Sequence, residues 1–407
     1  MPHDRLDAAL AGEVEALRAA GTDKGSEKVI TRLIPAADGR GPRLRLAGSD
    51  EEFLRMNSNG YLGLAHHPAV IAAEEAATRD FGAGPGAVRF ISGTYQAHVD
   101  LEARLARFHG RDRSMIFSSA YATVVSVLTS LITPETLVLS DELNHNCIIN
   151  ALRMARPAGR KVYRHLDFDG VDKGLKQARG SVQRAVVVTD GVFSMRGDHA
   201  DLGTLLEVAR AHDDDYSENV VVVVDDSHGV GAYGATGRGT EEAAGSEAVD
   251  VLIGTLGKGF GVNGGYVTGS EDIVSYSREK APMYIYSNPI TVGEAAASLA
   301  ALDVVDSEAG RGLLAHLAAM TTKFESGLVD LGFETIPGLH PIVPLMVRDT
   351  ERTSALVSDL FASGVLATGL NYPVVPKGDE EIRFQVNADH TETDIDYVLG
   401  VLEAFKG

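Results

Sequence analysis

Val251-Leu252-Ile253-Gly254-Thr255-Leu256-Gly257-Lys258 is an apolar run that ends in a small-residue turn carrying one lysine. A lysine beside a buried strand is costly unless its charge is balanced or its amine is used. Desolvation lowers its pKa and frees the amine as a nucleophile. Earlier in the chain a second apolar run, residues 220–224, ends in Asp225-Asp226-Ser227-His228. A strand ending in Asp and a strand ending in Lys offer a carboxylate for a pyridinium nitrogen and an amine for a Schiff base. A pyridoxal phosphate site requires both. Asp225 reads as the ring partner and Asp226 as the outward-facing one, with His228 in reach of the ring's 3' oxygen.

Other positions fit the same chemistry. Ser119-Ala120-Tyr121 opens a helix, and its amides and hydroxyl suit a phosphate. Thr255 is a second hydroxyl for that phosphate. His145 can lay its flat face on the ring, and Arg383, a charged residue within a strand, can clamp an amino acid carboxylate through two hydrogen bonds. Each has a bland reading too: a surface-turn lysine, an N-cap aspartate, a helix-opening serine, a solvated strand face. Their common placement argues for function.

That placement follows from the elements. Helices are expected near 5–19, with Leu6, Leu10, Val14 and Leu17 on one side, and over 68–79, 97–109, 120–131 and 201–211. Strands are expected at 114–117, 137–140, 161–163, 185–189 and 220–224, before the run that leads to Lys258. Strands alternating with helices indicate a mostly parallel sheet covered on both faces. Ligands in such sheets sit beyond the carboxyl ends of the strands. Ser119, His145, Asp190, Asp225 and Lys258 all fall there. The glycine-rich stretch 81–94 reads as a functional loop. Two alanine-rich helices, 292–305 and 309–330, then lead into strands at 333–336, 342–347 and 382–386. The expected organisation is an N-terminal helix and arm (1–50), a large cofactor domain (51–290) and a smaller α+β domain (291–407).

Composition narrows the alternatives. At 407 residues, two domains are the default. A formal net charge of -20 disfavours nucleic acid and anionic membrane surfaces. The one cysteine, Cys147, excludes an intrachain disulfide and suits a reducing compartment. The first residues lack the pattern of a signal peptide, and no run of about 18 apolar residues suggests a membrane span. A cytoplasmic protein is expected. No metal-ligand spacing, P-loop or Gly-x-Ser-x-Gly elbow is present in the sequence.

Several motifs together resemble one group. Asn59-Gly60-Tyr61-Leu62-Gly63, Arg89-Phe90-Ile91-Ser92-Gly93-Thr94, Asn144-His145, Thr189-Asp190-Gly191-Val192-Phe193-Ser194-Met195, Asp225-Asp226-Ser227-His228, Thr255-Leu256-Gly257-Lys258 and Gly264-Gly265-Tyr266 look like the α-oxoamine synthases. These are pyridoxal phosphate enzymes of the aspartate aminotransferase fold (fold type I). The resemblance implies acyl transfer from coenzyme A to an amino acid α-carbon, first of all glycine with acetyl-CoA giving 2-amino-3-oxobutanoate. Tyr372-Pro373-Val374-Val375-Pro376-Lys377-Gly378 adds to that version. The alternatives are alanine or serine, a longer or carrier-bound acyl group, or retro-aldol cleavage of a β-hydroxy amino acid. By resemblance Lys258 is the Schiff-base lysine and proton carrier, His145 stacks on the ring and Asp225 holds its nitrogen. His228 and Ser194 lie near the 3' oxygen or the reacting carbonyl. Ala120 and Tyr121 amides, Ser119, Thr255 and Ser287 of the partner subunit hold the phosphate. Arg383, with Asn59, binds the amino acid carboxylate. A homodimer sharing its active sites is implied. The stretch 259–263 departs from the family's usual sequence after the lysine.

Overall fold

The computed structural model describes residues 3–406 apart from 21, 24 and 373. A seven-stranded sheet runs in the order Arg113–Phe117, Gly265–Gly269, Val251–Thr255, Val220–Asp225, Arg184–Asp190, Thr136–Asp141, Gly159–Tyr163. Gly265–Gly269 is antiparallel to both of its neighbours, and the other pairings are parallel. The expected mostly parallel sheet is therefore present, with one reversed strand that the apolar pattern did not disclose. That strand, Gly-Tyr-Val-Thr-Gly, has no apolar run. It fits because Gly254 leaves room for the Tyr266 ring, which a Cβ at 254 would meet at 2.3 Å.

The central strands are buried on both faces, which explains their unbroken valines. Val186, Val188, Val223 and Ile253 pack into one core with the helices Ala120–Leu131 and Asn146–Met154. Val187, Val222, Val224 and Leu252 pack into the other with Phe168–Ala178 and Leu202–Arg210. Alternate side chains of one strand thus feed opposite cores.

A second sheet of four antiparallel strands follows the long helix Glu308–Asp330, in the order Glu334–Thr335, Ile342–Met346, Glu381–Gln385, Thr368–Leu370. This is the smaller α+β unit. A large core joins its Phe384, Ile382 and Leu345 with Tyr61, Leu256, Phe260 and Tyr266. The short strand Leu54–Arg55 pairs in parallel with Val365–Leu366, bringing residues 57–61 against the second sheet. The N-terminal helix Asp4–Ala19 buries none of its residues, and its predicted stripe of Leu6, Leu10, Val14 and Leu17 is exposed. Among the described residues no helix is long and apolar enough to cross a membrane.

Candidate active site

Adjacent strands bring the two ends of the opening motif together. Val220–Asp225 and Val251–Thr255 are in register at Asp225 and Ile253, so Lys258 emerges just beyond Asp225. The lysine turn is closed by bonds from Gly261 N to Lys258 O and from Val262 N to Leu256 O, both 2.9 Å. Its glycines are demanded by close neighbours. Gly261 has φ +72°, and a Cβ there would meet Ala65 N at 2.4 Å. A Cβ at Gly259 would meet Gly231 O at 2.6 Å. Phe260 between them is fully buried, edge-on to Phe108. The departure at 259–263 thus shapes the support beneath the lysine.

Among the described residues Lys258 Nζ makes no hydrogen bond or ion pair. Burial lowers its pKa to about 8, Asp225 opposing and Arg383 assisting that shift. Asp225 is buried, and its Oδ1 accepts from Ser227 N at 3.1 Å and Ser227 Oγ at 2.5 Å. Its Oδ2 has only the Cys147 thiol, at 3.6 Å, and so keeps room for a further donor. Asp190 pairs with Asp225 in register on the neighbouring strand. Burial and the Asp225 charge push the Asp190 carboxyl up, and the backbone N–H of His145 donates to its Oδ2 at 2.8 Å. Two carboxylates facing one amine cannot both stay ionised cheaply.

That bond also positions His145. Asn144 adds to it, donating to Val188 O and accepting from Asp190 N, each at 2.9 Å. The His145 ring is exposed, with Nδ1 2.9 Å from Cys147 Sγ. His228 is buried, and burial with Lys258 and Arg383 nearby keeps it neutral. Ser119 caps the helix Ala120–Leu131 by accepting from Ala122 N at 3.1 Å. The amides of Ala120 and Tyr121, in the first turn, have no partner among the described residues, as expected for the first turn of a helix. Ala120, Tyr121, His145 and His228 line one cavity of about 60 Å³ with Lys258, Asp225, Ser194 and Asp190.

A second recess of about 330 Å³ shares His145 and Ser194 with the first and is walled by Leu143, Phe193, Met195, Met346, Val374 and Val375. It lies between the two sheets' loops. A recess of about 700 Å³ lies elsewhere. Four of its five arginines are engaged: Arg89 and Arg278 on Glu102, Arg111 on Glu241, Arg113 on Glu271.

Arg383 reaches toward the lysine from the strand Glu381–Gln385. Its Nη2 donates to Asn59 Oδ1 at 3.2 Å, and in the amide orientation that satisfies both groups the Gln385 carbonyl accepts from Nη1 at 2.6 Å. Nε is buried without a partner, and the side chain forms no ion pair among the described residues. A buried guanidinium held by neutral amides is suited to an incoming carboxylate.

The predicted residues separate into groups. Ala120, Tyr121, His145, Ser194, Asp225, His228 and Lys258 share the cavity, and Asn59 and Arg383 touch each other. Thr255 lies beside it with its hydroxyl spent inside the turn, donating to Gly264 O at 3.1 Å and accepting from Gly257 N. Ser119's oxygen is used as the helix cap, and Ser287 does not line the cavity of its own chain. Asp226 corrects the sequence reading: it is fully buried, accepting from Thr240 N and Oγ1 at 2.7 and 2.5 Å. Glycines at 191, 229 and 239 leave it space, each with a Cβ position within 2.3 Å of its oxygens. Sequence reasoning placed Asp190 at the carboxyl edge of the sheet without a role, and passed over Tyr61, Cys147 and Ser227 as working residues. Adjacency to Asp225 or His145 was the signal for two of them; Tyr61 had none beyond its motif.

Comparison with known proteins bears on the same features. The family model described as aminotransferase class I and II matches residues 51–402. Human mitochondrial 2-amino-3-ketobutyrate coenzyme A ligase is 39% identical over 96% of this chain and 90% of its own. An 8-amino-7-oxononanoate synthase of Bacillus velezensis is 37% identical, covering 90% of each. Among solved structures, a serine palmitoyltransferase carrying the pyridoxal phosphate internal aldimine matches with TM-score 0.86 and 25% identity, over 99% of this chain and 97% of that one.

Proposed function

This chain belongs to the class I and II aminotransferase family, in its α-oxoamine synthase branch, and we propose that it joins a small amino acid to an acyl group longer than acetyl, released from coenzyme A. At the coarser level it is a pyridoxal phosphate-dependent acyltransferase of fold type I acting on an acyl-CoA and an amino acid. The chain length is carried by one observation. The 330 Å³ recess beside His145 and Ser194 has an apolar wall of Leu143, Phe193, Met195, Met346, Val374 and Val375, with Leu143, Met195 and Val374 left exposed, set among polar lining from Glu142, Arg196, Asp379 and Glu381. An acetyl group has no use for such a wall, whereas each buried methylene gains about 0.8 kcal/mol.

The residues present fit the cofactor. Lys258 Nζ, free of any partner, would anchor it; Asp225 Oδ2 would take its ring N–H; Ala120 and Tyr121 N–H groups would face its phosphate, and the open face of His145 its ring. When bound, it supplies an electron sink for charge at the amino acid α-carbon. Arg383 then holds the substrate carboxylate, fixing which bond faces Lys258. The lysine amine, near neutrality in this setting, accepts the α-proton at Nζ. Ser194 Oγ and the His145 ring stand where the two recesses meet, and they donate to the oxygen of the acyl carbonyl as it gains charge. Phe193 and Met195 exclude water from that junction.

Thiol release from coenzyme A, measured for glycine, alanine and serine against acyl-CoAs from two to about twelve carbons, tests the reading. kcat/KM is expected to climb with chain length by roughly fourfold per methylene until the recess is filled. Met346→Trp should abolish the climb and leave acetyl transfer intact. Preference for acetyl-CoA over every longer donor would sink it. That second reading, glycine with acetyl-CoA, is supported by the likeness to the ketobutyrate ligases and by the stretch 372–378.

A further inference from the structure

Tyr61 is fully buried and fixed from several directions. Its ring lies edge-on to His340 with centroids 5.4 Å apart, and its carbonyl accepts from Ala388 N at 2.7 Å. Its hydroxyl is 2.8 Å from His228 Nδ1 and 3.4 Å from Asn59 Oδ1. His228 is held as firmly: His340 Nδ1 accepts from Ile342 N, so His340 Nε2–H donates to the His228 carbonyl, at 2.8 Å. Burial keeps the phenol protonated and the His228 ring uncharged.

A neutral phenol and a neutral imidazole at this distance have two arrangements. Either the O–H donates to Nδ1, or Nδ1–H donates to the phenol oxygen and the O–H turns to Asn59. Asn59 Oδ1 is farther away and already accepts from Arg383 Nη2. The first arrangement is therefore the lower in energy. His228 Nε2 has no hydrogen-bond partner among the described residues, and the ring lines the Lys258 cavity.

We propose that Tyr61 is a positioning residue for the reaction proposed above: by donating to Nδ1 it fixes His228 as the Nε2–H tautomer, so that this imidazole meets the contents of the cavity as a hydrogen-bond donor. The inference rests on the pyridoxal phosphate reading, since the 3' oxygen of that cofactor is an anion that a donor stabilises and an acceptor repels. The phenol sits between the ring-facing histidine and the Asn59–Arg383 pair, and both the phenol and the imidazole are uncharged.

The test uses full-length protein labelled with nitrogen-15 histidine and loaded with pyridoxal phosphate, with His228→Gln identifying the His228 resonances. Wild type should give one form, Nε2–H. Tyr61→Phe, which keeps the ring and its packing, should give a mixture of tautomers. Its kcat should fall roughly tenfold with KM for the amino acid within about twofold. In the His228→Gln background, Tyr61→Phe should change kcat by less than about twofold, because its partner is gone. An Nδ1–H form in wild type overturns the proposal, as does an equal loss of kcat in both backgrounds. If Tyr61→Phe fails to fold, the wild-type spectrum alone decides. A wild-type protein that stays colourless with pyridoxal phosphate overturns the cofactor reading and this proposal together; normal colour with the wrong tautomer overturns only the proposal.

Discussion

At the scale of single residues, two cations of the site, Lys258 and Arg383, have no counter-ion among the described residues, and each carries a prediction. Lys258 is lowered to about 8 because burial and then Arg383 outweigh the pull of Asp225. Its amine is neutral above that pH, where an ordinary lysine remains charged up to about 10.4. Capture of pyridoxal phosphate by the cofactor-free protein should therefore speed up as pH rises to about 8 and level off beyond it. Stopped-flow absorbance checks this, with Lys258→Ala as the blank, expected to lose both the yellow colour and turnover. A rate still rising tenfold per pH unit at pH 9.5 would count against a perturbed lysine. Arg383 has no carboxylate partner and a buried, unpaired Nε. Arg383→Gln should raise KM for the amino acid by roughly 10- to 100-fold, the worth of a charge-assisted hydrogen bond, while cofactor affinity stays within about twofold. Equilibrium dialysis of the cofactor separates the two effects.

At the scale of elements, the loops that build the cleft are clamped by one histidine. His165 Nδ1 is 3.1 Å from Asp141 Oδ1 and Nε2 is 3.2 Å from Asp198 Oδ2. Burial opposes its charge, but the hydrogen bonds to Asp141 and Asp198 win and raise it to about 9. The same Asp141 accepts from Leu143 N and Leu166 N, and Asp198 belongs to the hairpin that presents Phe193, Ser194 and Met195. A pKa raised in the folded state stabilises most below the unfolded value near 6.5, and the contribution fades as pH rises through about 9. His165→Gln should therefore lower stability by an amount on the order of 2 kcal/mol at pH 6 and by little at pH 9.5. Urea unfolding at the two pH values reads the difference; an equal loss at both would remove the charge from the explanation. These elements also mark how much was legible beforehand. Apolar runs flagged the strands ending at Asp190, Asp225 and Thr255, because burial on both faces leaves a continuous signature. The Gly265–Gly269 strand and the buried Asp226 were hidden, since both depend on absent side chains outside their own positions: Gly254 makes room for Tyr266, and Gly191, Gly229 and Gly239 for Asp226. Tyr61 was hidden for a related reason. Its partner is 167 positions away, and only the joining of the two sheets brings them together.

At the scale of the whole molecule, one chain supplies the lysine, the carboxylates and the arginine, but Ser287 stands outside its own cavity. Next to it Tyr286 is 82% exposed, and on the glycine-rich loop Phe90 and Ile91 are each 68% exposed. Apolar surface of that extent calls for cover. The family resemblance implies a homodimer with shared sites, in which the partner subunit's Ser287 reaches the phosphate end of the site. We propose this shared arrangement, and hybrid dimers test it. Lys258→Ala removes the amine, and Ser287→Asp sets a like charge against a phosphate. Each variant alone should be nearly inactive. Co-expressed in equal amounts and paired at random, they should recover roughly a quarter of wild-type activity, because half of the dimers are hybrids and each hybrid gathers both defects into one site, leaving the other intact. If Ser287 served the site of its own chain, each hybrid would hold one defect in each site and mixing would restore nothing. Light scattering on the same samples gives the mass of the assembly, so that an absence of recovery in a dimer points to Ser287 and an absence of dimers points to the pairing itself.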